Sequence, residues 1–191
     1  MLAPTFDVRR EDPCSLALTL RLVRRLRGIK QAHAGELLGV TQSTVSRIER
    51  GELKPAGALR NRLLDLVVAR IDPSRDAALR HLVEGSASPV HLVCDCTHRP
   101  LAASGPRERE WRRAASELQG RSLWRYASEG IRSAEARLPD LGWGKRDGTH
   151  ALSFVTEANG SDELRIVPGV LIWERILLSD GSPARVVTSP N

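Results

Sequence analysis

The stretch GVTQSTVSRIERGELKP, Gly39 to Pro55, limits the fold more than any other part of this chain. Thr41 or Gln42 opens a short helix that runs to Arg50, and Gly51 stops it. Val40, Val45 and Ile48 can point together at neighbouring helices, which leaves Thr41, Gln42, Ser43, Ser46 and Arg47 facing out. A helix that shows hydroxyls, an amide and a guanidinium on one side carries the groups that read base edges. Gln matches the donor and acceptor of adenine, Arg the paired acceptors of guanine, hydroxyls serve either, and the Thr41 methyl suits thymine.

The flanking sequence supplies the neighbours. Asp12-Pro13 reads as a helix start, with an N-cap acceptor and a proline in the first turn. Leu16, Leu20, Val23 and Leu26 then mark one apolar face, and Gly28 ends it. Gln31 to Leu38 reads as a second short helix, closed by Gly39 in a left-handed C-cap. Pro55 falls in the turn before a fourth helix with the stripe Leu59, Leu63, Leu66 and Val67. Asp72-Pro73 begins a further helical piece to about Glu84, and Gly85-Ser86-Ala87-Ser88-Pro89 reads as a boundary.

Residues 16–70 resemble the lambda repressor and Cro-like, or XRE-family, helix-turn-helix proteins. The resemblance rests on IKQAHAGELLGVTQSTVSRIERGELKP, in which Gln31, Gly39, Val40, Ser46, Ile48, Glu49, Gly51 and Pro55 fall where the family pattern expects them. It implies a recognition helix in the major groove. The positions of Thr41, Gln42, Ser43 and Arg47 include the family's usual base readers, and Ser46 shares their face. It also implies that Gln31 and the amides at the start of helix two clamp a phosphate, with Lys30, Arg50 and Lys54 as further phosphate contacts. The family's acid at the position of Glu49 pairs with an arginine on helix one, a place that Arg24 occupies here; the other reading is a solvated, unpaired Glu49. Gly35 departs from the pattern, which usually has alanine there. A mid-helix glycine costs about 1 kcal/mol relative to alanine, so it either permits closer packing of helices two and three or weakens helix two.

Charge agrees with this location. The chain of 191 residues carries a formal +6. Only three of its 29 basic residues are lysine, a bias that genome composition alone can produce. The distribution says more: ten basic residues face three acidic ones between Arg21 and Arg62, against fourteen and thirteen over residues 86–191. The excess lies where a polyanion would be gripped. No apolar run approaches the ~20 residues of a membrane span, the N-terminus lacks the pattern of a signal peptide, and a cytoplasmic location is expected. Three cysteines, Cys14, Cys94 and Cys96, do not make a disulfide framework.

The second half changes texture. Strands are expected at Val90–Cys94 and Pro100–Ala103 around a turn over Asp95–Arg99. A mostly helical stretch follows over Arg107–Arg137, broken near Gly120 and Gly130. Strands return at Ala151–Thr156, Val170–Leu178 and Ala184–Thr188, the last two joined by a Ser179-Asp180-Gly181-Ser182 turn. On VHLVCDCTHRPLAAS, ELQGRSLWRY and VLIWERILLSDGSPARVVTS, residues 88–190 resemble a PAS sensor domain: two strands, several short helices, three antiparallel strands. The resemblance implies sensing of a small molecule, light or redox state, and dimerisation; a plain α+β dimerisation domain is the other reading.

No cofactor is named by these residues. The flavin-binding cysteine motif of photoactive PAS domains is absent. His91, Cys94, Cys96 and His98 either bind a metal or form a redox switch, or are core and turn residues, since the expected turn breaks the alternation that would align them. Trp111, Trp124, Trp143 and Trp173 either line a pocket or fill a core. LGWGKRDGTH, Leu141 to His150, lacks the strand and spacing of a phosphate loop and reads as an exposed loop. No Ser/His/Asp set or carboxylate pair stands out, so no enzymatic role is expected and no metal site is assigned.

The expectation is an all-α helix-turn-helix domain followed by an α+β PAS-like domain. Its parts are a flexible arm over 1–14, a DNA-binding domain over 15–71, a linker helix over 72–87 and a sensory or dimerisation domain over 88–191. The expected partners are double-stranded DNA, a second copy of the chain, and a small molecule or protein at the C-terminal domain. An antitoxin or phage-type regulator, with a protein-binding C-terminal half and no small-molecule sensing, is the competing class.

Overall fold

The computed structural model describes residues 16–144 and 148–190. The expected arm over 1–14, the Asp12-Pro13 helix start, Cys14 and positions 145–147 of the glycine-containing loop lie outside the described residues.

Four helices make the N-terminal core: α1 (Leu16–Leu26), α2 (Gln31–Leu38), α3 (Gln42–Glu49) and α4 (Gly57–Val67). Leu20, Val23, Ala34, Leu38, Val45, Ile48, Leu63 and Val67 close it, most of them fully buried. Leu26 departs from the expected buried face: it is 45% exposed, because the last turn of α1 runs past this core toward the second half of the chain. The Gly39 C-cap is left-handed at φ 64° and turns the chain from α2 into α3. Gly35 is the close-packing case. A β-carbon there would sit 2.7 Å from the Val40 carbonyl oxygen and 3.3 Å from the Gln42 nitrogen, so its absence lets α2 seat directly against the start of α3.

Helix α5 (Ala77–Glu84) starts later than the expected Asp72. The Asp72 carboxylate accepts the amide protons of Ser74 and Arg75, which folds residues 72–76 into a turn. Asp76 accepts from the Asp72 amide and from both the amide and hydroxyl of Ser179. An aspartate followed by proline looks like a helix start, but here the side chain closes a local turn instead.

Five antiparallel strands follow: β1 (Val90–Cys94), β2 (Pro100–Ala103), β3 (Ala151–Thr156), β4 (Gly169–Leu177) and β5 (Pro183–Thr188), in the order β2-β1-β5-β4-β3. Between β2 and β3 run α6 (Gly105–Trp111), two 3-10 turns (Ala115–Leu118 and Leu123–Tyr126) and α7 (Glu129–Arg137). This is the PAS-like α+β order of two strands, short helices and three strands. In β1 and β5 the residues alternate between two covered faces. Leu92, Cys94 and Ala184 pack with Val83 of α5 and with Val68 and Ala69 beyond α4. Val93, Trp173 and Val187 pack with Ala134 and Leu138 on the α7 side. The break expected near Gly130 falls at Ser128, whose hydroxyl caps α7 by accepting from the Ile131 amide and bonds Thr156 on β3. Gly130 lies within the first turn of α7, where a β-carbon would meet the Val155 carbonyl oxygen at 2.6 Å.

The halves touch along α1. Arg27 donates to the Leu66 carbonyl, to Asp180 Oδ2 at 2.7 Å and to Ser182 Oγ at 2.6 Å, both on the β4–β5 hairpin. Gly181 brings the same hairpin against Leu26.

Candidate nucleic-acid interface

Thr41 is the N-cap of α3: its hydroxyl oxygen accepts from the Thr44 amide at 3.3 Å. The same oxygen lies 2.8 Å from Ser43 Oγ and 2.9 Å from Thr44 Oγ1. Capping fixes the first turn while leaving Thr41, Gln42 and Ser43 exposed, with Arg47 one turn on. Ser46 is half-buried and accepts from Arg50 at 2.6 Å. The inner face of the helix is closed, with Val45 and Ile48 at 0% exposure.

Glu49 is also buried, and its charge is held by a chain of side chains. Arg24 donates to it twice, at 2.6 and 3.1 Å, and anchors its own Nη1 on the Ile29 carbonyl at 2.8 Å. Gln31 Nε2 donates to Glu49 at 2.8 Å, and Gln42 Nε2 donates to Gln31 Oε1 at 2.8 Å. Burial works against the Glu49 charge, but the hydrogen bonds from Arg24 and Gln31 and the charges of Arg24 and Arg21 hold its carboxyl below the usual range. The amide of Gln42 therefore stands on a buried ion pair two side chains away.

Of the cations near this surface, Lys30 is exposed and is the N-cap of α2, and its side chain does not cap the helix. Lys54 is exposed on the turn before α4. Arg50 is engaged by Glu52 as well as by Ser46.

A second feature lies inside the PAS-like half. A cavity of about 80 Å³ opens between the sheet and the helical crossover, lined by His91, Arg107, Trp111, Trp124, Tyr126 and Trp173 among others. Trp143 stands apart and donates to Asp95. His91 Nδ1 and Arg107 Nε are buried without a partner among the described residues. Burial, with Arg107 and Arg185 nearby, pushes the His91 pKa well below its ordinary value, so the ring is neutral. His91, Cys94, Cys96 and His98 do not converge. His91 meets Trp111 edge-on and His98 lies over Trp124, whereas Cys94 packs on the opposite face of the sheet. Among the described residues no group of three or more His, Cys, Asp or Glu could hold a metal ion.

Behind the cavity is an ion cluster that sequence reasoning missed. Arg185 of β5, 2% exposed, donates to Asp95 at 2.6 and 2.9 Å and to Glu135 of α7 at 2.6 Å. Arg175 of β4 adds a bond to Asp95 at 3.2 Å. Burial opposes ionisation of Glu135, but the charge of Arg185 and the bonds from His98 and Arg185 bring its pKa down to about 2.

Among solved structures the chain is similar to the PAS domain of an HTR-like protein from Haloarcula marismortui, at 17% identity and a TM-score of 0.42, covering 60% of this chain and 89% of that one. It is similar to a PAS domain from Desulfitobacterium hafniense at 15% identity and a TM-score of 0.39, covering 56% and 95%. A third similarity, to an RNA-binding light-oxygen-voltage receptor, has 13% identity and a TM-score of 0.43, and covers 93% of this chain but only 58% of that one. No curated protein matches the chain. No helix among the described residues is long and apolar enough to cross a membrane. A family model described as a helix-turn-helix domain matches residues 15–82. Residues 15–82 thus match a helix-turn-helix domain, and an α+β unit built on a five-stranded antiparallel sheet follows them.

Proposed function

We propose that this protein is a cytoplasmic, sequence-specific DNA-binding transcriptional regulator of the XRE type. The observation that carries the reading is α3: its apolar face and Glu49 are buried, and Thr41, Gln42, Ser43 and Arg47 are what it offers to solvent. In this reading those four residues, with Ser46, meet base edges, and Lys30, Gln31, Arg50 and Lys54 meet phosphates. The Arg24–Glu49 pair and Gln31 set the position of the Gln42 amide. A single α3 reads few base pairs, so two copies bind a pseudo-palindrome with half-sites about 34 Å apart or a multiple of it. Residues 72–87 connect the DNA-binding part, 15–71, to a sensory or dimerisation part, 88–191, whose cavity is small enough to suit a compact ligand.

Selection from random duplexes tests this. A palindromic consensus is expected, and Gln42→Ala and Arg47→Ala should each relax the preference at defined bases, by about 1–3 kcal/mol per base pair. Sequence-independent binding that neither substitution alters sinks the reading. One observation favours a protein contact on the C-terminal unit: Val155 and Val170 pair across β3 and β4 and are 71% and 40% exposed. A foreign protein that co-purifies with the chain, and is lost on Val155→Lys, favours the protein-binding regulator over the small-molecule sensor.

A further inference from the structure

Five titratable side chains stand on the wall of the cavity in the second half: His91, His98, Arg107, Tyr126 and Arg185. Four of them are engaged by neighbours. Tyr126 donates to Glu163 at 2.7 Å, Arg107 pairs with Glu110 at 2.6 Å, and His98 and Arg185 both meet Glu135. His91 is the exception. Its residue is only 9% exposed, yet Nδ1 has no hydrogen-bond partner and no acid pairs with the ring among the described residues. The ring is also held in place, carried by β1 and met edge-on by Trp111 of α6 at 4.9 Å between centroids.

Three properties of the wall limit what can bond there. The first is charge. Arg107 is offset by Glu110 and Arg185 by Asp95 and Glu135, while the His91 ring, without an acid beside it, is neutral. No charge is left over, so a carboxylate or an ammonium group would be desolvated here without a counter-ion. The second is surface: Trp111, Trp124, Tyr126 and Trp173 offer faces and edges to another ring. The third is size. The cavity measures about 80 Å³, against roughly 150 Å³ for an apolar cavity that encloses benzene. Open at one side, it admits a single ring; fused rings, a porphyrin or a long acyl chain are too large.

We propose that this cavity binds a small uncharged phenol, its ring among the tryptophans and its hydroxyl on the His91 imidazole. A neutral imidazole has one donor nitrogen and one acceptor nitrogen. A hydroxyl bonds either one, whereas an ether or a ketone bonds only the donor. A phenol, with a pKa of about 10, also enters without charge at neutral pH. The inference rests on the sensory reading given above and supplies the chemical class of its signal.

The test is calorimetric titration of the full chain at neutral pH with phenol, toluene and benzoate, which share a ring and differ in hydroxyl and charge. Phenol should bind about fivefold to tenfold more tightly than toluene, the worth of one hydrogen bond, and benzoate should give no measurable binding. In His91→Leu the affinity for toluene should hold and the advantage of phenol should vanish. A second readout needs no variant: the His91 ring nitrogen signals in NMR should move with phenol well beyond the ring-current change that toluene gives. Equal affinity for phenol and toluene, a preference for benzoate, or no binding of any of the three overturns the proposal, as does a phenol preference that survives His91→Leu. The sensory reading has its own measurement, the affinity for the selected duplex with and without the bound compound. Bound phenol that leaves that affinity unchanged removes the sensory reading and keeps the site. A change driven by benzoate alone keeps the reading and removes the phenol.

Discussion

Glu49 is an acid on the helix that carries the proposed base readers, and its surroundings show why it does no harm there. It is 7% exposed and turned inward, so its charge meets Arg24 before it meets anything outside. Arg24→Ala would leave that carboxylate buried and unpaired, and a loss of about 3–5 kcal/mol is expected in urea denaturation. Gly35 works by absence. Alanine there gains about 1 kcal/mol of helix propensity but drives a β-carbon against the Val40 carbonyl. Overpacking of this kind costs about 1–3 kcal/mol, so Gly35→Ala should lower the melting temperature rather than raise it. Glu135 gives a pH prediction with a definite sign. Its folded pKa, about 2, lies below the ordinary value of 4.5. The stability it contributes is therefore complete above the unfolded pKa and lost as pH falls through about 4.5 toward 2. Glu135→Gln should flatten the acid limb of a stability-against-pH profile; an unchanged limb would show that the pair with Arg185 does not set it.

Among the elements, α1 has two tasks. Leu20 and Val23 close the helical core, while Thr19 and Arg27 reach the sheet half. Arg27→Ala removes the bonds to Asp180 and Ser182, and the single melting transition expected of a coupled pair should broaden or split in calorimetry. The inner half of α1 was legible because leucines at three- and four-residue spacing state a buried face. The outer half was not, because its partners lie 77 to 155 residues away in sequence. The same contrast runs through the chain. The strands were legible from β-branched runs and turn residues, to within a residue at either end. The start of α5 was misread because Asp72 has the composition of a cap but bonds a turn. The face of α3 was readable from local spacing. The Asp95–Glu135–Arg185 cluster was not, since each member alone resembles an ordinary surface charge.

At the scale of the whole molecule, the positive charge concentrated between Arg21 and Arg62 sits in the helical half. Binding to duplex DNA should weaken linearly with the logarithm of salt concentration. Lys30→Ala should reduce that slope by about 0.9, for one phosphate contact. An unaltered slope removes Lys30 from the interface. Arg185 has a place in this larger geometry as well: its side chain lines both the inner cavity and the outer groove beside α1. One guanidinium is thus a partition between two chambers, stiffened from the turn after β1 by Asp95 and from α7 by Glu135. A partition shared by two rooms cannot be moved from one side alone. A body lodged in the cavity that displaces Arg185 also reshapes the groove floor against which α1 rests, with no change required anywhere between.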